Sequence, residues 1–196
     1  MRLLRKTFLL IILSNLIFTN TFAINPETFV QSTVNRASKV LFKNISKEQK
    51  MNQLQSIAKD TVDIRGIGFY SLGSYKKNLS EDQKAKYEIL FEKYFLKSFA
   101  SRLSEYTNPE INVISKNKLS ENYTIVNSVL VATDERPEIK IDWRIYTKEI
   151  EKPLIRDLII EGLSLARTQK EEFSSIIESN NGNIESLFNT LRDFIK

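Results

Sequence analysis

Apolar positions along the chain recur first at helical and then at alternating spacing, and return to helical spacing at the end. Asn25-Pro26 reads as an N-cap and first helical residue, followed by Phe29, Val30, Thr33, Val34, Ala37, Val40 and Leu41 at three- and four-residue steps, an amphipathic helix of about four turns. Ser46 with Gln49 forms a capping-box pattern ahead of a second helix from Lys47 to Val62, with Met51, Leu54, Ile57, Ala58 and Val62 on one side. Between Asp63 and Gly73, Gly66 and Gly68 weaken any long helix, so a short irregular one ending at Gly73 is expected. Ser80 with Gln83 repeats the capping box and opens the longest helix, Glu81 to Tyr106. There Tyr87, Phe91, Phe95, Phe99 and Leu103 lie four apart, and each step rotates about 40°, so the series sweeps roughly 160° of the helix. That is wider than the stripe of an ordinary surface helix, so this helix is expected to be covered on more than one side.

After Pro109 the period changes. Ile111 to Ser115 reads as a short strand and Tyr123 to Thr133 as a long one, apolar on both faces. Ile139, Ile141, Trp143 and Ile145 alternate with Lys140, Asp142, Arg144 and Tyr146, and Leu154 to Glu161 completes four runs. Polar turns at Asp134-Glu135-Arg136-Pro137 and Thr147 to Lys152 predict antiparallel neighbours. Leu158 to Leu165 then turns sheet into helix at Gly162, and helices from Ser164 to Ser179 and Asn183 to Phe194 close the chain, separated by Asn180-Asn181-Gly182. Helices, then a meander of about four strands, then helices is an α+β layout.

Composition changes this picture at the N-terminus. Arg2, Arg5 and Lys6, an apolar run from Thr7 to Phe18, and Thr21-Phe22-Ala23 read as a secretory signal peptide cleaved after Ala23. An uncleaved anchor fits less well, because an apolar core of about 12 residues is short of the roughly 20 a spanning helix needs. Residues 24–196 are then expected to form one domain. The net charge of +5 mostly leaves with the signal: three of the 29 basic residues go, leaving 26 against 24 acidic. Such a balanced surface gives no support to nucleic-acid binding.

The chain has no histidine and no cysteine, which removes the usual base near neutral pH, thiol nucleophiles, disulfides and the commonest metal ligands. No metal site and no catalytic residue is expected. An enzyme would have to work with carboxylates, lysine, tyrosine or serine, and the enzyme alternative is an isomerase or hydrolase using a carboxylate such as Asp142 or Asp157, its pKa raised by burial, as base. Asp142, however, alternates onto the polar face, and Asp157 reads more simply as a hydrogen-bonding residue near a strand end. The glycines from Gly66 to Gly73 lack both a preceding strand and a following Gly-Lys-Ser/Thr, so they do not read as a phosphate loop. Arg36, Lys39, Lys43, Lys47 and Lys50 make a locally basic region, either a solvated face or a dock for an anionic or protein partner. Asn44-Ile45-Ser46 is also a glycosylation sequon, although the cap already explains Ser46.

A specific set of residues carries a resemblance. Asp63 and Gly73, then Ser80, Gln83, Tyr87, Phe91, Phe95, Phe99-Ala100, Leu103 and Tyr106, then Val131 to Thr133, then Asp157-Leu158, Glu161-Gly162-Leu163-Ser164-Leu165 and Phe173, resemble the MlaC family over roughly residues 60–177. The resemblance implies a periplasmic phospholipid carrier of the outer-membrane lipid asymmetry (toluene tolerance) system. It would run between an outer-membrane lipoprotein–porin complex and an inner-membrane ABC transporter complex, with phospholipid as cargo, no cofactor and a monomeric state. It also implies a cone-like fold similar to nuclear transport factor folds, its curved sheet and helices enclosing an apolar pocket. Family tryptophans before the last strand's aspartate and after the glycine matching Gly73 are replaced here by Glu151-Lys152-Pro153-Leu154 and Ser74-Tyr75.

Burying a methylene is worth about 0.8 kcal/mol, so two chains of about sixteen carbons represent on the order of 25 kcal/mol against water. A carrier must match the bilayer rather than exceed it, which calls for a large apolar lining. The expected lining is Phe91, Phe95, Phe99, Leu103, Val129, Val131, Ile141, Trp143, Leu165 and Phe173. The same side chains would equally fill a solid core; the resemblance favours the cavity.

Overall fold

The structure is a computed structural model that describes residues 23–106, 109–134 and 136–196. The proposed signal segment falls almost wholly outside the described residues. No helix among those described is long and apolar enough to cross a membrane.

Four helices come first: α1 (Pro26–Phe42), α2 (Lys47–Thr61), α3 (Ile64–Ser71) and α4 (Glu81–Leu103), with a 3-10 turn Tyr75–Asn78 before the last. Each start is set by the side chain the sequence places there. Asn25 accepts from Glu27 N–H, Asp63 accepts from Gly66 N–H, and Ser46 and Ser80 both make the full reciprocal capping box with Gln49 and Gln83. The long helix stops at Leu103, three residues earlier than its pattern predicts. Ser104 closes it with its backbone N–H on the Ala100 carbonyl and its hydroxyl on the Ser101 carbonyl, so a local polar bond ends the ladder.

Five antiparallel strands follow in the order β1 (Ile111–Ser120), β2 (Tyr123–Leu130), β3 (Ile139–Tyr146), β4 (Leu154–Ile160) and β5 (Leu163–Ser164), each paired with its chain neighbour. Three strand expectations change. β1 continues past Ser115 to Ser120 although its second half is polar and exposed, because β2 supplies hydrogen bonds along its length. A fifth, two-residue strand folds back on β4 through Glu161 (φ 48°) and Gly162 (φ 82°), both left-handed, as a tight hairpin turn requires. β2 is also not apolar on both faces in effect: Thr124, Val126, Ser128 and Leu130 are buried while the residues between them are half-buried. Helices α5 (Leu165–Glu178) and α6 (Ile184–Ile195) complete an α+β fold with a curved open sheet.

One face of the sheet carries Val126, Leu130, Ile141, Trp143, Ile145 and Ile155 into the main core, where Val30 and Val34 of α1, Tyr87, Phe91 and Leu96 of α4, Phe173 and Ile177 of α5, and Leu187, Phe188 and Leu191 of α6 join them. A second cluster links α1, α2 and the end of α4 through Val40, Leu41, Leu54, Ile57 and Ala100.

Polar bonds are distributed unevenly over this frame. α4 is tied to the other helices by Lys59–Glu92, Arg65–Glu88, Lys86–Glu185, the Tyr87 hydroxyl on the Gly68 carbonyl, the Tyr94 hydroxyl on Gln169, and Lys97 on the carbonyls of Phe194 and Ile195. Among the described residues no such bond is found between α4 and the sheet. Helices and sheet are instead joined at the two sheet edges. At β1, Gln31 bonds both Ile111 and Val113, and Lys116 pairs with Glu27; at β4, Asp63 pairs with Arg156 and its N–H bonds the Ile155 carbonyl.

Candidate functional site

The interior is the first place to look for the expected apolar lining. Tyr87, Phe91, Tyr94, Phe95 and Phe99 run along α4 as a continuous aromatic series: Phe91 meets Phe173 edge-on at 6.1 Å, and Phe95 stacks on Phe99 at 5.7 Å with planes 10° apart. Phe91, Phe173, Ile141 and Trp143 are buried in the main core, and Phe95 and Phe99 are partly buried against it. Trp143 donates its indole N–H to Ser128, whose hydroxyl in turn donates to the Ile141 carbonyl. Burial of Tyr87 pushes its phenol far above the usual range, so it stays a neutral donor to Gly68 at 2.9 Å.

The remaining four expected residues separate from this group. Leu103 packs in the second cluster with Ala100 and the α1–α2 pair. Leu165 is 40% exposed. Val129 pairs with Lys140 and alternates with the buried Ser128 and Leu130, which puts it on the opposite face from Ile141 and Trp143; Val131 lies just beyond the end of β2 and is half-buried. The structure thus does not bring all ten expected residues onto one surface, and for Val129 the reason is that a strand's side chains change face at every residue.

The larger opening lies elsewhere. A cavity of about 300 Å³ is bounded by Gly66, Ile67 and Tyr70 of α3, Leu119 and Tyr123 at the β1–β2 turn, Arg144, Arg156, and Ala166 at the start of α5. A smaller cleft of about 40 Å³ lies on the other side of α3, between it and Tyr87, Glu88, Phe91 and Glu92 of α4. The first volume is at the lower end of small-molecule sites, about 300–1,000 Å³. Only the small cleft touches an expected residue, Phe91.

The cationic wall of the larger cavity is built by a bulge. Arg144 pairs with Asp157 and Ile145 with Ile155, so Arg156 is an extra residue that turns to the same side as Asp157 and Arg144. Arg156 is fixed from three directions: Asp63 at 2.6 Å, the Tyr123 oxygen at 2.6 Å, and the Tyr146 ring at 3.9 Å from its carbon centre. Desolvation lowers its pKa, but Asp63 and Tyr123 outweigh it and the net shift is upward. Asp157 is buried and accepts from the Ser164 hydroxyl, the Ala166 N–H and, at 3.3 Å, Arg144, so it anchors the start of α5. The Arg144 Nε is buried with no hydrogen-bond partner.

Sequence reasoning missed this wall. The signal was the adjacent pair Arg156-Asp157 in an otherwise apolar strand, where strict alternation would have sent one charge into the core.

A solved structure of a phospholipid-binding protein from Ralstonia solanacearum, in complex with a phospholipid, superposes with a TM-score of 0.74 at 17% identity, covering 88% of this chain and 97% of that one, and so shares the fold. Curated proteins give no match. The model of the MlaC protein family matches residues 31–193, from the first helix through the sheet to the last helix, and with that span the chain belongs to the MlaC family.

Proposed function

We propose that this protein is a periplasmic phospholipid carrier, shuttling lipid as a monomer between an outer-membrane lipoprotein–porin complex and an inner-membrane ABC transporter complex. Family membership and the fold shared with a phospholipid-complexed protein support this reading. The structural observation that carries it is the main core, where Tyr87, Phe91 and Leu96 of α4 and Val126, Ile141, Trp143 and Ile145 of the sheet belong to one apolar cluster, while among the described residues no hydrogen bond or ion pair joins α4 to the sheet. Acyl chains inserted there would exchange one apolar neighbour for another, and no buried polar partner would be lost. The 300 Å³ cavity adjoins this core through Ile67, which lines the one and belongs to the other.

The carboxylates weighed as bases favour the carrier over an enzyme. Asp157 is held by Ser164, Ala166 and Arg144, and Asp142 accepts from Asn127 at 2.7 Å. The test is purification of the exported protein followed by native mass spectrometry and lipid extraction. Phospholipid at about one molecule per chain is expected; a chain that carries none and takes none from vesicles would refute the carrier.

A further inference from the structure

The cavity beside α3 has a lining unlike the core's. It holds two arginines and no carboxylate, because Asp63 and Asp157, which anchor those arginines, stand behind them outside the lining. Arg156 is fully engaged, but Arg144 is held at one end only, by a 3.3 Å approach of its Nη1 to Asp157, while its buried Nε has no acceptor. A guanidinium presents its donors as a fork suited to two oxygens of one anion, and it is the Nη end, not the covered Nε, that is left to offer them. Tyr123 accepts from Arg156 through its oxygen, so its own O–H proton is available to a further acceptor. The mouth is apolar: Tyr70 and Leu119 line it and are 44% and 59% exposed. Lys170 lies over the Tyr70 ring, adding a cation at the rim.

We propose that this cavity takes a phosphate group, with Arg144 donating to two of its oxygens and Arg156 supplying fixed positive charge. Resting on the carrier reading, the phosphate is that of a phospholipid headgroup, whose chains lead past Ile67 into the core. Free phosphate shares the chemistry, and the experiment separates the two sources.

The protein is offered vesicles containing dioleoyl phosphatidylglycerol and dioleoylglycerol, two lipids with the same chains and different phosphate content, and the lipid it retains is quantified by mass spectrometry. The wild type should retain the phosphate lipid at least about tenfold over the diacylglycerol. Arg144→Gln should bring that ratio close to unity, Arg144→Lys should restore part of it, and Arg36→Gln, at a surface pair with Asp60, should match the wild type. Near-ultraviolet circular dichroism checks folding; should Arg144→Gln not fold, Leu119→Asp replaces it and should lower the ratio by repelling the phosphate at the mouth. Equal retention of both lipids by the wild type, or an undiminished ratio in the variant, overturns the phosphate site and leaves the carrier standing. Retention of neither lipid overturns the carrier. In that case titration with inorganic phosphate decides the site alone: binding lost in Arg144→Gln supports it, and no binding overturns it.

Discussion

Gly68 lies beneath the ring of Phe91, and a Cβ added there would stand 2.7 Å from the ring's Cδ1. The hydroxyl of Tyr87, one helical turn before Phe91, donates to the carbonyl of the same glycine. A single backbone position thus accepts both a close aromatic packing and a buried hydrogen bond, which is how α3 lies so near α4. Gly68→Ala should force Phe91 and its neighbours aside and cost about 1–3 kcal/mol, measured by urea unfolding. Tyr87→Phe leaves the ring in place but removes the donor; a loss of about 0.5–1.5 kcal/mol is expected from the same measurement, since the Gly68 carbonyl would keep only the longer bond from the Leu72 N–H. If Tyr87→Phe unfolds at the wild-type midpoint, the hydroxyl has no structural role.

At the scale of elements, the first helix is fastened to the first strand by surface chemistry that pH can undo. The hydrogen bond from Lys116 lowers the pKa of Glu27; desolvation opposes it, and the charge of Lys116 and a bond from Asn25 add to the lowering, so the net shift is downward. A depressed carboxylate pKa contributes stability that is present above the unfolded value, 4.5, and is lost as pH falls through the lower folded value. The α1–β1 junction should therefore be unaffected by pH from neutrality to about 5 and should loosen below 4.5; amide exchange at Val113, compared between wild type and Glu27→Gln, checks it. The elements themselves were largely legible, because their starts are written in short-range chemistry: Asn25, Ser46 and Ser80 all cap the helices expected of them. Strand ends were less legible. The exposed half of β1 has no apolar pattern of its own and is ordered by its partner, and the Arg156 bulge depends on a register that only the paired strand defines.

Over the whole molecule, the expected lining divides according to which part of it a period can reveal. Phe91, Phe95, Phe99, Ile141, Trp143 and Phe173 come together because helical and strand periods each define a face. Val129 and Val131 join the expected lining through their apolar side chains, but alternation along β2 turns Val129 to the other side, and Val131 falls beyond the strand's end. The arginine-lined cavity was invisible because its residues come from α3, the β1–β2 turn, two strands and α5, with no local pattern connecting them. The division makes a discriminating test: Phe95→Asp should abolish phospholipid uptake from vesicles, whereas Val131→Glu should retain it. Loss of uptake in a folded Val131→Glu protein would place acyl chains beyond the end of β2.

The strand order has a consequence for how the molecule assembles. Every strand pairs with the next one in the chain, and the two-residue turn at Glu121-Asn122 is the shortest of the links between the long strands. Closing such short loops costs little chain entropy, so the sheet can form from one end to the other as the polypeptide arrives, without waiting for distant segments. The contacts that must wait are those at its edges, where Ile24 meets Ile150 and Asp63 meets Ile155 across long stretches of sequence. A chain that emerges unfolded can thus form its helices and its sheet each from contacts close in sequence and bring the two together last, with the greasy face between them open for the interval.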